Sequence, residues 1–211
     1  MDEKVEVKDF RGAVASLYPR ERLFHQHRED GKLNYCYPLI QYNIINRECL
    51  IIGIQEGAKL LTNLDLVEKT IALRKQEYTI ISEEIKFYNI SMNVIHSLVV
   101  YSFLTPWLAL NEKNYEKYQR LGSLTKRNGM LEKILIGNII SMSKGLGYTI
   151  PGPIEANIIK IREVQTSLKG NLMLGFLGTF SVNFDIPDYW GIGKSVSRGF
   201  GTVVKSKFRR Q

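Results

Sequence analysis

Cysteine is scarce in this sequence: only Cys36 and Cys49 occur in 211 residues. Two thiols with no neighbouring metal-ligand spacing read as buried thiols rather than a disulfide or metal pair, and no function is assigned to them. No apolar run approaches the roughly 18 residues expected of a membrane-spanning helix. The opening MDEKVEVKDF is polar where a secretory signal would carry its apolar core. A cytoplasmic protein is the expectation. Low-complexity tracts and internal repeats are also missing, which argues against solenoids and propellers. Acidic residues are absent from Gly191 to Gln211, a stretch that contains Lys194, Arg198, Lys205, Lys207, Arg209 and Arg210.

The 44% hydrophobic and 24% charged residues are ordinary for a globular chain, which by length could form one large domain or two small ones. The formal charge of +8 favours an anionic partner, whether nucleic acid, a membrane surface or an acidic protein. Without the six basic residues of the C-terminal stretch, 23 basic residues face 21 acidic ones, so most of the excess is local.

Strand-like and helix-like runs alternate along the chain. A strand is expected at Lys4–Lys8, a helix at Phe10–Tyr18 closed by Pro19, and a strand at Tyr35–Asn43 with Pro38 marking an edge or bulge. A buried strand at Cys49–Ile54, a helix at Gln55–Leu61 and strands at Leu66–Leu73 and Glu84–Ile90 complete a ferredoxin-like succession. The pattern restarts with a strand at Ser97–Leu104, a polar helix at Glu112–Arg120 and a helix at Arg127–Lys144. In that last helix Leu131, Leu135, Ile139 and Met142 form one apolar stripe, and Gly145 stands at the expected C-cap. Two strands follow, joined by a hairpin turn at Lys169-Gly170-Asn171. The second carries Leu172, Leu174, Phe176, Gly178, Phe180, Val182 and Phe184 on one face. The predicted fold is α+β, with two tandem ferredoxin-like domains built on antiparallel sheets, residues 1–92 and 93–211.

The loop GIGKSVSRGFG, Gly191 to Gly201, spaces Gly191, Gly193, Gly199 and Gly201 around Lys194, Ser195, Ser197 and Arg198. Glycine lets backbone N–H groups approach phosphate oxygens and the basic residues supply charge, which suits a nucleic-acid backbone. The competing explanation is that these glycines only permit tight turns at a sheet edge. A Walker loop would need glycine at Asp188, and a dinucleotide fingerprint would need glycine or alanine at Val196, so neither motif is present.

This loop resembles the C-terminal glycine-rich signature of the repeat-associated ferredoxin-like RNA-binding proteins of CRISPR systems. FRGAVASLYP, Phe10 to Pro19, is similar to their first helix. The run HQHREDGKLNYCYPLIQY, His25 to Tyr42, resembles the catalytic segment of the Cas-six endoribonucleases, subtype b in particular. LEKILIGNIISMSKGLGY, Leu131 to Tyr148, resembles the helix of that subtype's C-terminal domain.

The resemblance implies a metal-independent, cofactor-free enzyme. It would cut CRISPR repeat RNA by attack of a ribose 2′-hydroxyl, leaving a 2′,3′-cyclic phosphate and a 5′-hydroxyl. It makes His27 the candidate acid or base, His25 a supporting residue and Tyr35 an orienting or proton-donating hydroxyl, with Tyr37 and Tyr42 a short alignment shift away. Gly191, Gly193, Lys194, Ser195, Arg198, Gly199, Gly201, Lys205 and Lys207 are the candidate RNA-binding residues. A catalytically silent RNA-binding subunit of a CRISPR effector complex is the alternative. A peripheral membrane protein ranks below both, because the basic tail lacks a clear amphipathic helix. Other effector subunits and a second copy of the chain stand as open partners. A zinc site at His25-Gln26-His27 lacks further ligands at suitable spacing. His96, ahead of an apolar run, is expected to be partly buried, and the aromatic residues of the strands are expected to pack rather than to stack on bases.

Overall fold

The computed structural model describes residues 5–25, 37–74 and 76–206, the side chain of His25 excepted. The chain divides into two compact units. The first comprises Met1–Asn89 with Ser197–Gly199, and the second Ile90–Val196 with Phe200–Gln211.

In the first unit, α1 (Val7–Leu17) buries Phe10, Ala13 and Val14 on one face. The strand expected at Lys4–Lys8 is overturned at its C-terminal end, where Val7 and Lys8 already belong to α1. Carboxylates favour a helix start there, and Arg74 grips two of them, Glu6 at 3.1 Å and Asp9 at 3.0 Å. A short α2 (Arg22–His25) follows. Strands β1 (Ile40–Ile45) and β2 (Glu48–Gly53) pair antiparallel. Their two-residue turn, Asn46-Arg47, has φ values of 52° and 70°, the primed geometry that matches strand twist.

After α3 (Glu56–Thr62), β3 (Thr70–Leu73) pairs with β4 (Gln76–Thr79). The core gathers Phe10, Val14, Phe24, Ile40, Tyr42, Ile71 and Leu73. The strand expected at Glu84–Ile90 does not form; residues 80–93 have no regular secondary structure, and Ile81, Phe87 and Tyr88 are exposed. Alternating apolar residues make a strand only where an edge accepts them. That pairing is taken by QEYT of β4, whose exposed side chains carry no apolar signal.

The second unit contains β5 (Val94–Phe103), α4 (Glu112–Gln119), α5 (Leu124–Gly145), β6 (Ala156–Leu168), β7 (Asn171–Phe184) and β8 (Val203–Lys205). The sheet order is β6-β7-β5-β8, antiparallel throughout, which is the ferredoxin-like arrangement with the first strand between the third and the fourth. Where that fold has a second helix, this chain has the glycine loop and a 3₁₀ turn at Val196–Arg198.

Helix α5 starts at Ser123, whose side chain accepts from the Lys126 N–H, and it buries Leu131, Leu135, Ile139 and Met142 as the stripe requires. It runs through Gly145, so the left-handed residue that ends it is Gly147, φ 78°, two positions beyond the expected cap. Phe176, Phe180, Val182 and Phe184 of β7 are fully buried, whereas Leu172 is 81% exposed because it sits beside the hairpin tip. Lys169 and Gly170 form that tip with φ values of 54° and 84°. The Tyr118 hydroxyl donates to Glu163 at 2.9 Å, Arg127 lies 4.9 Å over the Tyr118 ring, and together they join α4, α5 and β6.

Two leucines of equal hydrophobicity should therefore behave differently. Leu135→Ala is expected to cost about 2–5 kcal/mol in denaturant unfolding, and Leu172→Ala to change stability by less than about 0.5 kcal/mol.

Candidate functional site

The glycine loop is closed by backbone hydrogen bonds at its neck. Ile192 N–H donates to the Gly201 carbonyl at 2.9 Å, Gly201 N–H to Pro106 at 2.9 Å and Val203 N–H to Trp190 at 3.0 Å. Ile192 and Val196 anchor it as buried side chains. Glycine is demanded by the protein's own atoms. At Gly201, φ 67°, a Cβ would lie 2.0 Å from the Ile192 oxygen. At Gly193, φ 94°, it would lie 2.7 Å from the Trp107 ring nitrogen, which itself donates to Asn138 at 3.0 Å. At Gly191 it would meet Val196 at 2.5 Å. The tight-turn explanation thus accounts for the glycines at these positions, and the capacity to hold an anion passes to the side chains between them.

Of those side chains, Lys194 is exposed, while Ser195, φ 59°, and Arg198 are half-buried. Lys205 lies on β8 with its ammonium 2.7 Å from Asp185 and its N–H donating to Asp188 at 2.7 Å, so its charge is already met within the protein. Lys207 lies outside the described residues.

Ser197–Gly199 belongs to the first unit. A Cβ at Gly199, φ 80°, would lie 2.9 Å from the Tyr42 oxygen and 3.1 Å from the Asn43 side-chain oxygen, so this turn of the loop rests on β1. Beside it, Arg11 of α1 donates to the Phe24 carbonyl at 3.4 Å. Desolvation, and then the neighbouring Arg198 guanidinium, push the pKa of Arg11 down. Phe24 immediately precedes His25, the last residue of α2. The structure therefore brings Arg198 of the loop and the approach to the histidine segment to the same helix. His27 and Tyr35 lie outside the described residues.

Tyr42 is 1% exposed and stacks edge-on against Phe10, as the packing expectation for strand aromatics requires. Its hydroxyl is buried without a hydrogen-bond partner, and that burial raises its pKa, so it stays a neutral phenol. Two expectations are corrected. His96 is exposed on β5 instead of partly buried, and Cys49 is exposed on β2. His96 lies between Val94 and Val99, where the pairing of β5 with β7 shifts register and consecutive residues are exposed, and Cys49 lies in the exposed first residues of β2. Sequence reasoning missed Arg11, whose one signal is an arginine between the buried Phe10 and Val14 of an amphipathic helix. Among the described residues, no group of three or more His, Cys, Asp or Glu could hold a metal ion.

Family models of the Cas6b N-terminal domain and the Cas6b C-terminal domain match residues 2–91 and 93–206. The chain belongs to the Cas6b family. A crystal structure of Cas6b is similar with a TM-score of 0.88 and 40% identity, over 95% of this chain and 91% of that one. A second, of the CRISPR RNA processing endoribonuclease Cas6b, gives a TM-score of 0.70 and 37% identity over 97% and 94%. An uncharacterized protein of Methanocaldococcus jannaschii is 41% identical over 65% of this chain and 92% of its own. The type IV Cas6 crRNA endonuclease Csf5 shares the fold, with a TM-score of 0.65 at 11% identity, over 97% of this chain and 95% of its own. The Cas6 structural neighbours are tandem ferredoxin-like folds, and the helices and antiparallel sheets of this chain agree with the α+β reading. Among the described residues no helix is long and apolar enough to cross a membrane.

Gly201→Ala combines left-handed backbone with a collision against Ile192. It should destabilise the protein by about 1–3 kcal/mol or more, read as a lowered Tm, with the loss confined to the folding equilibrium if RNA affinity is compared at a temperature where both proteins are folded.

Proposed function

We propose that this protein is a CRISPR RNA-processing endoribonuclease that binds repeat RNA through its glycine loop and cuts it without a metal ion. The observation that carries the reading is the seat of the loop's Ser197–Gly199 turn, where Gly199 lies against Tyr42 of β1 and Val7 of α1, with Arg198 near enough to act electrostatically on Arg11, whose guanidinium holds the carbonyl one residue before His25. The matches to both Cas6b domains, and the name of the relative at 37% identity, support it.

In the proposed reaction one imidazole removes the 2′ proton and O2′ attacks the adjacent phosphorus. The bond from phosphorus to O5′ breaks as an acid protonates the leaving oxygen, giving a 2′,3′-cyclic phosphate and a 5′-hydroxyl. Imidazole suits both proton transfers because it titrates near neutrality. Guanidinium charge offsets the negative charge that grows on the phosphorane. We assign the acid or base to His27, support to His25 and orientation to Tyr35. The backbone contacts go to Lys194, Ser195 and Arg198. The histidine segment then lies in the sequence domain 1–92 and the loop is contributed by the sequence stretch 93–211, of which Ser197–Gly199 packs into the first unit, with CRISPR repeat RNA as partner and other effector subunits as further ones.

Incubation with CRISPR repeat RNA in excess EDTA should cut an all-ribose strand and leave intact one with a 2′-deoxy nucleotide immediately upstream of the cut. Tight binding without cleavage of any repeat would instead identify a silent RNA-binding subunit. His27→Ala should slow cleavage by about 10²–10⁴ with binding retained, and an unchanged rate would remove His27 from the mechanism. Replacing Lys194 and Arg198 together by alanine should weaken binding and flatten its salt dependence, since fewer counterions are released.

A further inference from the structure

We propose that Arg11 and Arg198 form a two-guanidinium oxyanion site, with the buried Tyr42 hydroxyl beside it, that takes a single phosphodiester of the bound RNA. Naming RNA as the source of that phosphate rests on the endoribonuclease reading; the oxyanion site itself does not.

Some arginines of the described structure have carboxylate partners, with Arg74 meeting Glu6 and Asp9, Arg127 meeting Glu163 and Arg120 meeting Glu116, while Arg20, Arg47 and Arg162 are exposed to water. No ion pair among the described residues joins Arg11 or Arg198 to a carboxylate. The charge that acts most on Arg11 is instead the like charge of Arg198. Two guanidiniums near enough to interact repel each other, and the repulsion grows as water is removed. An anion between them reverses its sign.

The polar atoms nearby are poised in the same way. Arg11 Nε is buried without a hydrogen-bond partner, and Nη2 has only the long 3.4 Å bond to Phe24. The Tyr42 hydroxyl, also buried and unpartnered, is close enough to Arg11 for each to shift the other's titration. Planar guanidinium forks match the oxygens of a phosphate, and a neutral phenol adds a donor without adding charge. The site is assembled from three separated stretches: α1, β1 and the loop. An RNA phosphate bound there would sit next to the residue that leads into the histidine segment.

The test uses the full chain, with Arg11→Ala and, because Arg11 also supports Phe24, Arg198→Ala, which leaves that support in place. Inorganic pyrophosphate should raise the Tm of the wild type saturably and that of neither variant. Equal responses in wild type and Arg198→Ala, including none in both, would overturn the site. With uncleavable 2′-deoxy-substituted repeat RNA, each variant should lose on the order of tenfold in affinity or more. The slope of log affinity against log salt should fall by about 0.7 per lost phosphate contact. A lower Tm with wild-type slope and wild-type pyrophosphate response would make Arg11 a strut for Phe24 alone and refute the proposal. If the wild type neither binds nor cuts RNA while the pyrophosphate response still depends on both arginines, the oxyanion site stands and the endoribonuclease reading fails.

Discussion

The glycine loop is held by a steric constraint that leaves almost no freedom: the peptide at Gly201 lies so close to Ile192 that a methyl group would stand 2.0 Å from its carbonyl oxygen. That closeness brings the two ends of the loop together and delivers β8, only three residues long, to the edge of the sheet beside β5. A strand so short contributes little pairing of its own, and it depends on the closed neck and on the Trp190 and Pro106 carbonyls for its register. The loop therefore does in this unit what a second helix does in the parent arrangement: it carries the chain from the end of β7 across to β8, which runs parallel to β7 and antiparallel to β5. Burial of Ile192 and Val196 replaces the apolar stripe such a helix would have supplied.

The same loop shows why composition overstates the cationic surface. Six basic residues follow Gly191 without an acidic one among them. The Asp185 and Asp188 that precede the loop nevertheless neutralise or hydrogen-bond Lys205 from across the β7 end. Charge that is local in sequence is partly cancelled by neighbours in space, and Lys194 and Arg198 are the described basic residues of the loop left to face a ligand.

Much of the second unit was legible in its sequence. The stripe of α5 and the alternation of β7 are long patterns, and long patterns survive because each of their residues reports the same buried face. The first unit was harder. Its β4 is uniformly exposed, so no pattern announces it, while residues 84–90 alternate convincingly and find no strand to pair with. Pairing is decided by the rest of the chain and is invisible in a short window. The end of α5 moved from Gly145 to Gly147 for a similarly local reason: either glycine could adopt positive φ, and the choice lay in which carbonyls remained to be capped. At the candidate site, the loop was visible as a cluster of glycines and cations, but its glycines answer to Trp107, Val196 and Ile192, residues far away in sequence or unremarkable in kind. Arg11 was hidden because a single arginine on an amphipathic helix has no signature until its neighbours are known.

The assignment of Ser197–Gly199 to the first unit has a consequence for dissecting the protein. Family boundaries separate the chain once, between residues 91 and 93. The folded chain changes unit three times, after Asn89, after Val196 and after Gly199. A fragment ending near residue 92 would thus lack three residues of the compact unit it is meant to represent, and β1 would present to water the backbone on which Gly199 rests. The two halves are linked like a garment with a thread sewn back through it, so a single cut at the apparent seam does not yield two complete pieces.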